Sequence, residues 1–249
     1  MPPARAGARR IITTITTMPD DGGALYDLLS WMSPSWPIGA FAHSSGLEWA
    51  VEAGRVTDRA STAAWIGDVL RHGALWSDAV IFVHAHRATL AGDTARLSDV
   101  AELAVALLTS RERHLEATAQ GAAYRRIATD AAPAEALAML DSIDDDDLAY
   151  PVVAACHLAG HGIGLRSALT AFLHGAIANL VSAAQRLVPI GQTDGQRVLR
   201  DLRAAIADTV TRALTLDYRN PFAAMGSAAL YADFAAIAHE TQYTRLFRT

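Results

Sequence analysis

The chain has 249 residues, 51% of them hydrophobic, which suffices to bury a sizeable core in one large domain or two small ones. A net charge of −5 gives no electrostatic reason to expect nucleic acid or an anionic membrane as a partner. The single cysteine, Cys156, excludes an internal disulfide framework and a multi-cysteine zinc site. All 21 basic residues are arginine, so P-loop and Schiff-base chemistry, which need lysine, are excluded as well.

Residues 1–17 carry Arg5, Arg9 and Arg10 ahead of a short, threonine-diluted apolar stretch with no clean small-residue cleavage site. They read as part of a disordered extension running to residue 23, with Met18 as an alternative start to Met1. No run of 18 uncharged apolar residues occurs, so no transmembrane helix is expected. Over residues 24–240, abundant alanine and 3.6-residue apolar spacing predict an all-α, single-domain bundle of about ten helices. Pro37, Ile38 and Gly39 read as a rigid turn presenting Trp36 and Phe41 rather than as a phosphate loop. Ser45 and Glu48 fit a capping box. His43, Ser44 and Ser45 set hydroxyls beside an imidazole, but sequence neighbours do not form a triad and no GxSxG elbow occurs, so no catalytic residue is assigned.

Trp65, Val69, His72 and Trp76 fall on one helical face, with His72 expected in the core. His84 and His86, two apart, diverge on a helix. Gly54, Gly92, Pro133, Pro151, Gly162 with Gly164, Pro189 with Gly191, and Pro221 partition the helices. The acidic run from Asp144 to Asp147 lacks the glycine and distal glutamate of a calcium loop and reads as a solvated loop. His157 and His161, at i and i+4 beside Cys156, are weak metal candidates, because local spacing supplies no third ligand. Leu169, Phe172, Leu173, Ala176 and Leu180 form one helical stripe, and Val198, Leu202, Ile206 and Val210 another. Arg186 reads as a cation near a helix C-terminus. Thr193 and Gln196 fit a second capping box.

Residues 241–249 interleave Tyr243, Leu246 and Phe247 with Arg245 and Arg248. Untethered termini are normally polar, whereas Tyr, Phe and Arg are typical interface anchors, so this segment is expected to be a loosely held docking tail.

Three segments, residues 33–54, 179–196 and 239–249, resemble in order the UreF family of urease accessory proteins, over roughly residues 25–249. The resemblance implies a helical, cytoplasmic, homodimeric chaperone rather than an enzyme. It would bridge the UreD (or UreH) accessory protein and the nickel-carrying GTPase UreG on apo-urease. It would need no cofactor of its own, nickel being handled by the complex and GTP by the partner GTPase. The expected partner-binding residues are Tyr243, Arg245, Leu246, Phe247, Arg248, Glu48, Pro37, Gly39 and Phe41, with capping as the competing role for Glu48. Two alternatives stay open: a strict GTPase-activating protein supplying an Arg finger, or a direct nickel-binding protein. The sequence departs from the family pattern in its polar region at His157 and His161, and at Ala40, where glycine is expected.

Overall fold

The computed structural model describes residues 22–216, 220, 225–226 and 228–249. The expectations for residues 1–21 and for Pro221 lie outside that range. Among the described residues the protein has ten α-helices and no strand. They are α1 (Gly22–Trp31), α2 (Leu47–Glu52), α3 (Arg59–His72), α4 (Ala74–Leu90), α5 (Thr94–Ala106), α6 (Arg111–Ala131), α7 (Tyr150–Gly160), α8 (Leu165–Leu187), α9 (Gln192–Leu214) and α10 (Leu230–His239). Helix α1 starts two residues before the expected boundary of the extension.

The bundle is built around α4, which is apolar on nearly every side and buries residues from Leu75 to Thr89 against α3, α5, α7, α8 and α9. A helix hydrophobic all round belongs inside a protein, and α7, with Val152 to Ala159 buried, follows the same rule. The rings of Phe82 and Phe172 meet at 5.0 Å where α4 crosses α8. The α8 and α9 stripes face the core, with Leu169, Phe172, Leu173, Leu180, Val198, Leu202, Ile206 and Val210 all buried and Ala176 half-buried. Length and composition alone would let α8 cross a membrane, but half of its most apolar stretch is buried inside the fold. Gly121 on α6 lies so close to the Leu148 carbonyl that any side chain would collide with it. A smaller cluster of Leu47, Ala50, Val56, Ala183, Ala184, Val188 and Ile190 joins α2 to the C-terminal end of α8.

Several local expectations are overturned. Trp65, Val69, His72 and Trp76 do not share a helix, because α3 ends at His72 and Trp76 belongs to α4. His72 is exposed, its carbonyl accepting the amides of Ala228 and Ala229. Neither predicted capping box forms: Gly46 precedes α2, Gly191 precedes α9, and neither helix has a side-chain cap. The capping box that does form is on α3, where Asp58 accepts the Ser61 amide at 2.8 Å and Ser61 Oγ accepts the Asp58 amide at 3.0 Å. The acidic run forms a short exposed 3-10 turn, Asp145–Asp147, tethered by Arg125 to Asp141 and Asp145. Ala40 is compatible with its backbone, since the left-handed residue in the turn is Gly39, at φ 77°.

Candidate functional site: a carboxylate clasp around the tail

Two helices and the end of the chain converge on one groove. Glu112 and Glu116 lie one turn apart on α6, and Glu48 faces them from the first turn of α2; all three are buried. Buried carboxylates require donors, and the tail supplies them. Glu48 Oε1 accepts the Leu246 amide at 2.6 Å, and its Oε2 accepts the Phe247 amide at 2.9 Å. Arg245 donates to Glu112 at 2.7 Å. His239, fully buried at the end of α10, sits between two acids: Nδ1 is 2.6 Å from Glu112 and Nε2 is 3.1 Å from Glu48. Glu116 takes Arg113 at 2.7 Å and the Ser45 hydroxyl at 2.9 Å.

The last residues run along the chain between the 3-10 turn Ala40–Ala42 and α2. The Arg248 amide donates to the Ala42 carbonyl at 2.8 Å, and the Ser44 amide donates to the Thr249 carbonyl at 2.6 Å. Thr249 Oγ1 lies 2.7 Å from His43 Nδ1, and burial lowers the pKa of that ring. Phe247 enters the smaller core cluster and is only 4% exposed. The loosely held tail expected from sequence is therefore a docked one. Tyr243 is nevertheless fully exposed and Leu246 is 63% exposed, so the expected apolar anchors divide between one internal peg and two outward groups.

Glu48 neither caps α2 nor is free for an external partner, being consumed by the tail and His239. Ser44 Oγ, one residue before the expected cap, accepts the Glu48 amide at 3.4 Å, while Ser45 is in the left-handed region at φ 53°. Pro37, Gly39 and Phe41 are exposed together, but Trp36, which the turn was also expected to present, is half-buried and packs on the core beside Tyr124. Arg186 does more than face a helix end. Its guanidinium carbon lies 3.7 Å from the centroid of Phe41 and 4.2 Å from that of Phe247, and it donates to the Phe41 carbonyl at 2.9 Å. Cation–ring contacts of this kind contribute about 0.5–2 kcal/mol each, more as water is excluded. His239, Glu112, Glu116 and Arg186's double stack had no local sequence signal, because each acts through residues far away in the chain.

His157 and His161 do approach one another, with ring centroids 4.7 Å apart. Both nitrogens of His157 are already engaged, Nδ1 with Tyr124 Oη at 2.9 Å and Nε2 with the Ala132 carbonyl at 2.7 Å. Cys156 turns away to the Ala136 carbonyl. Among the described residues no group of three potential ligands is assembled.

Beside the clasp lies a cavity of about 250 Å³ lined by Trp36, Ile38, Tyr150 and Phe172, with Asp78, Arg113 and Glu116 at its polar side. Burial raises the pKa of Asp78 from 3.8 to about 6; Glu116 adds to the rise and Arg113, 3.9 Å away, opposes it. A group with a raised folded pKa stabilises the fold only at low pH and loses that contribution as pH climbs through the folded value. Asp78→Asn is therefore expected to raise the melting temperature at pH 7.5, with the gain shrinking to nothing by about pH 4. Thermal melts of both proteins across that range check it. His157 works in the opposite sense: burial lowers its pKa to about 4, so stability falls as pH drops from 6.5 towards that value.

Comparison with known proteins places this architecture. A family model described as UreF matches residues 56–203. The urease accessory protein UreF of Bradyrhizobium diazoefficiens is 50% identical over 229 residues, covering 92% of this chain and 93% of the relative. Proteins of the same description from Rhodopseudomonas palustris strains HaA2 and BisA53 are each 49% identical, covering 92% and 91% of this chain and 95% and 93% of the relatives.

Proposed function

The chain belongs to the UreF family of urease accessory proteins, and from that premise we propose that it bridges a UreD-type accessory protein and the nickel-carrying GTPase UreG on apo-urease. Its role lies in urease maturation. In this reading the protein is a non-catalytic, cytoplasmic homodimer. Nickel is cargo of the assembled complex, GTP belongs to the partner GTPase, and no cofactor is held by this chain.

The observation that carries the reading is the division of labour within the tail. Phe247 pegs the segment to the fold, whereas Tyr243 and Leu246 point outward with Arg245 and Arg248 beside them. Exposed apolar groups rimmed by arginine mark partner sites, and two such side chains supply several kcal/mol on burial, roughly 1.5–3 each. Because the tail is already ordered, little of that gain is lost to ordering on association. The UreD-type partner is assigned to this surface. The exposed turn of Pro37, Gly39 and Phe41 is its neighbour and the second contact.

The test is capture of the purified UreD-type partner by the wild type and by Tyr243→Ala/Leu246→Ala. Both changes are on the surface, so the fold and melting temperature should persist while capture and urease activation are lost. Wild-type capture by the double variant would move the interface elsewhere.

A further inference from the structure

We propose that Arg186 couples the turn carrying Phe41 to the docked tail, so that a partner seated on either one tightens the protein's hold on the other. The two segments lie some 200 positions apart in sequence, and one guanidinium packs on an aromatic ring from each: 3.7 Å to Phe41 and 4.2 Å to Phe247. Its Nη2 donates to the Phe41 carbonyl at 2.9 Å, while its Nε donates to the Ser182 carbonyl at 3.3 Å and ties the head group to α8. The planar head is thus fixed in orientation, in contact with both rings at once. Direct hydrogen bonds run beside it, from the Arg248 amide to the Ala42 carbonyl and from the Ser44 amide to the Thr249 carbonyl, but the guanidinium alone reaches the rings of Phe41 and Phe247 together.

The two segments are held unequally: the tail is clasped through Phe247 and Glu48, whereas the turn sits at the margin of the fold. Phe41 is 65% exposed and rests on the guanidinium, and the tail residues Tyr243 to Leu246 are exposed. Segments with few buried contacts open locally without global unfolding. If the turn moves away, Arg186 loses one ring and its carbonyl acceptor, and its hold on the other ring slackens. Coupling free energy is reciprocal, so displacement of Phe247 must loosen the turn by the same factor. A lysine in place of Arg186 would keep the charge without the two flat faces. The consequence for partner binding rests on the reading that both segments are partner surfaces. The coupling itself is measured on the isolated chain and survives the failure of that reading.

The experiment is amide hydrogen exchange on the full chain, comparing wild type, Phe41→Ala, Phe247→Leu and Arg186→Met, each single change and the pairs with Arg186→Met. Phe41→Ala is expected to speed exchange of the Leu246, Phe247 and Arg248 amides about fivefold or more, in the range of measured couplings between sites. Phe247→Leu should speed exchange across residues 38–44 by the same factor. Both cross-effects should shrink by more than half when Arg186 is methionine, the remainder being carried by the direct backbone hydrogen bonds of Ala42 and Ser44 to the tail. Arg186→Lys, which disturbs the fold least, should weaken both to less than half. The proposal is overturned if Phe41→Ala leaves tail exchange within about twofold of wild type. It is equally overturned if the cross-effects keep their size in the Arg186→Met or Arg186→Lys background.

Discussion

Replacing Glu48 by alanine is expected to release the tail and to cost about 3 kcal/mol. The side chain is buried and accepts two consecutive tail amides at 2.6 and 2.9 Å. It also faces the fully buried ring of His239. Its removal strands two backbone donors and takes away the acid that faces the buried ring of His239, and each unsatisfied buried polar group costs about 1–3 kcal/mol. Relaxation of the tail into water recovers part of that loss, which leaves the net near 3. For a chain of this length the melting temperature should fall by roughly 6–12 °C. Glu48→Gln, which keeps one acceptor oxygen and the side-chain volume, should lose about half as much. The check is a pair of thermal melts, with exchange of the Leu246 and Phe247 amides measured beside them. Unchanged protection of those amides in the alanine variant would mean that the tail is held by its other contacts.

Deleting residues 243–249 has the second large effect, and its character differs from what the sequence suggested. A free tail would be removable without harm. A docked one uncovers Leu47, Val56, Val188 and Ile190, which enclose Phe247. Lost burial of that ring costs about 1.5–3 kcal/mol. Hydrogen bonds to charged groups, such as those from Arg245 and the two amides, add roughly 1.5–3 each before hydration of the opened groove offsets most of their contribution. A net loss of about 3–5 kcal/mol is expected. The main core around α4 does not touch the tail, so helical content by circular dichroism should survive at 20 °C while the transition midpoint drops. Capture of the UreD-type partner should be abolished. A truncated protein as stable as the wild type would contradict the clasp itself.

The all-α class was legible in the sequence because it rests on periodicity, a local property, and α8 and α9 carry their stripes without interruption. The break between α3 and α4 was missed because Gly73, a single residue, interrupts a pattern that otherwise continues in phase. The two capping boxes failed because glycine took the cap position in each case. Ser45 spends its hydroxyl on Glu116, seventy-one positions away. The tail was recognised as unusual on composition alone, but its docking was hidden. The groups that receive it, Glu48 and Glu112, look from their neighbours like ordinary helix-surface acids. Only tertiary folding brings three carboxylates to one groove, and no spacing rule within a helix records that Phe247 has a pocket waiting.

The clasp also has a place in time. Its hydrogen bonds with the tail and His239 join residues far apart in sequence, from 127 positions between His239 and Glu112 to 206 between His43 and Thr249. Contacts of such separation need the intervening chain to be collapsed before they are rewarded, and they form late. The groove cannot close until α2, α6 and α10 are already in register. An outward-facing Tyr243 and Leu246 held in fixed relation to Phe41 is therefore a signature of a finished molecule. Under the proposed docking, a partner that reads that arrangement would engage only chains whose folding is complete.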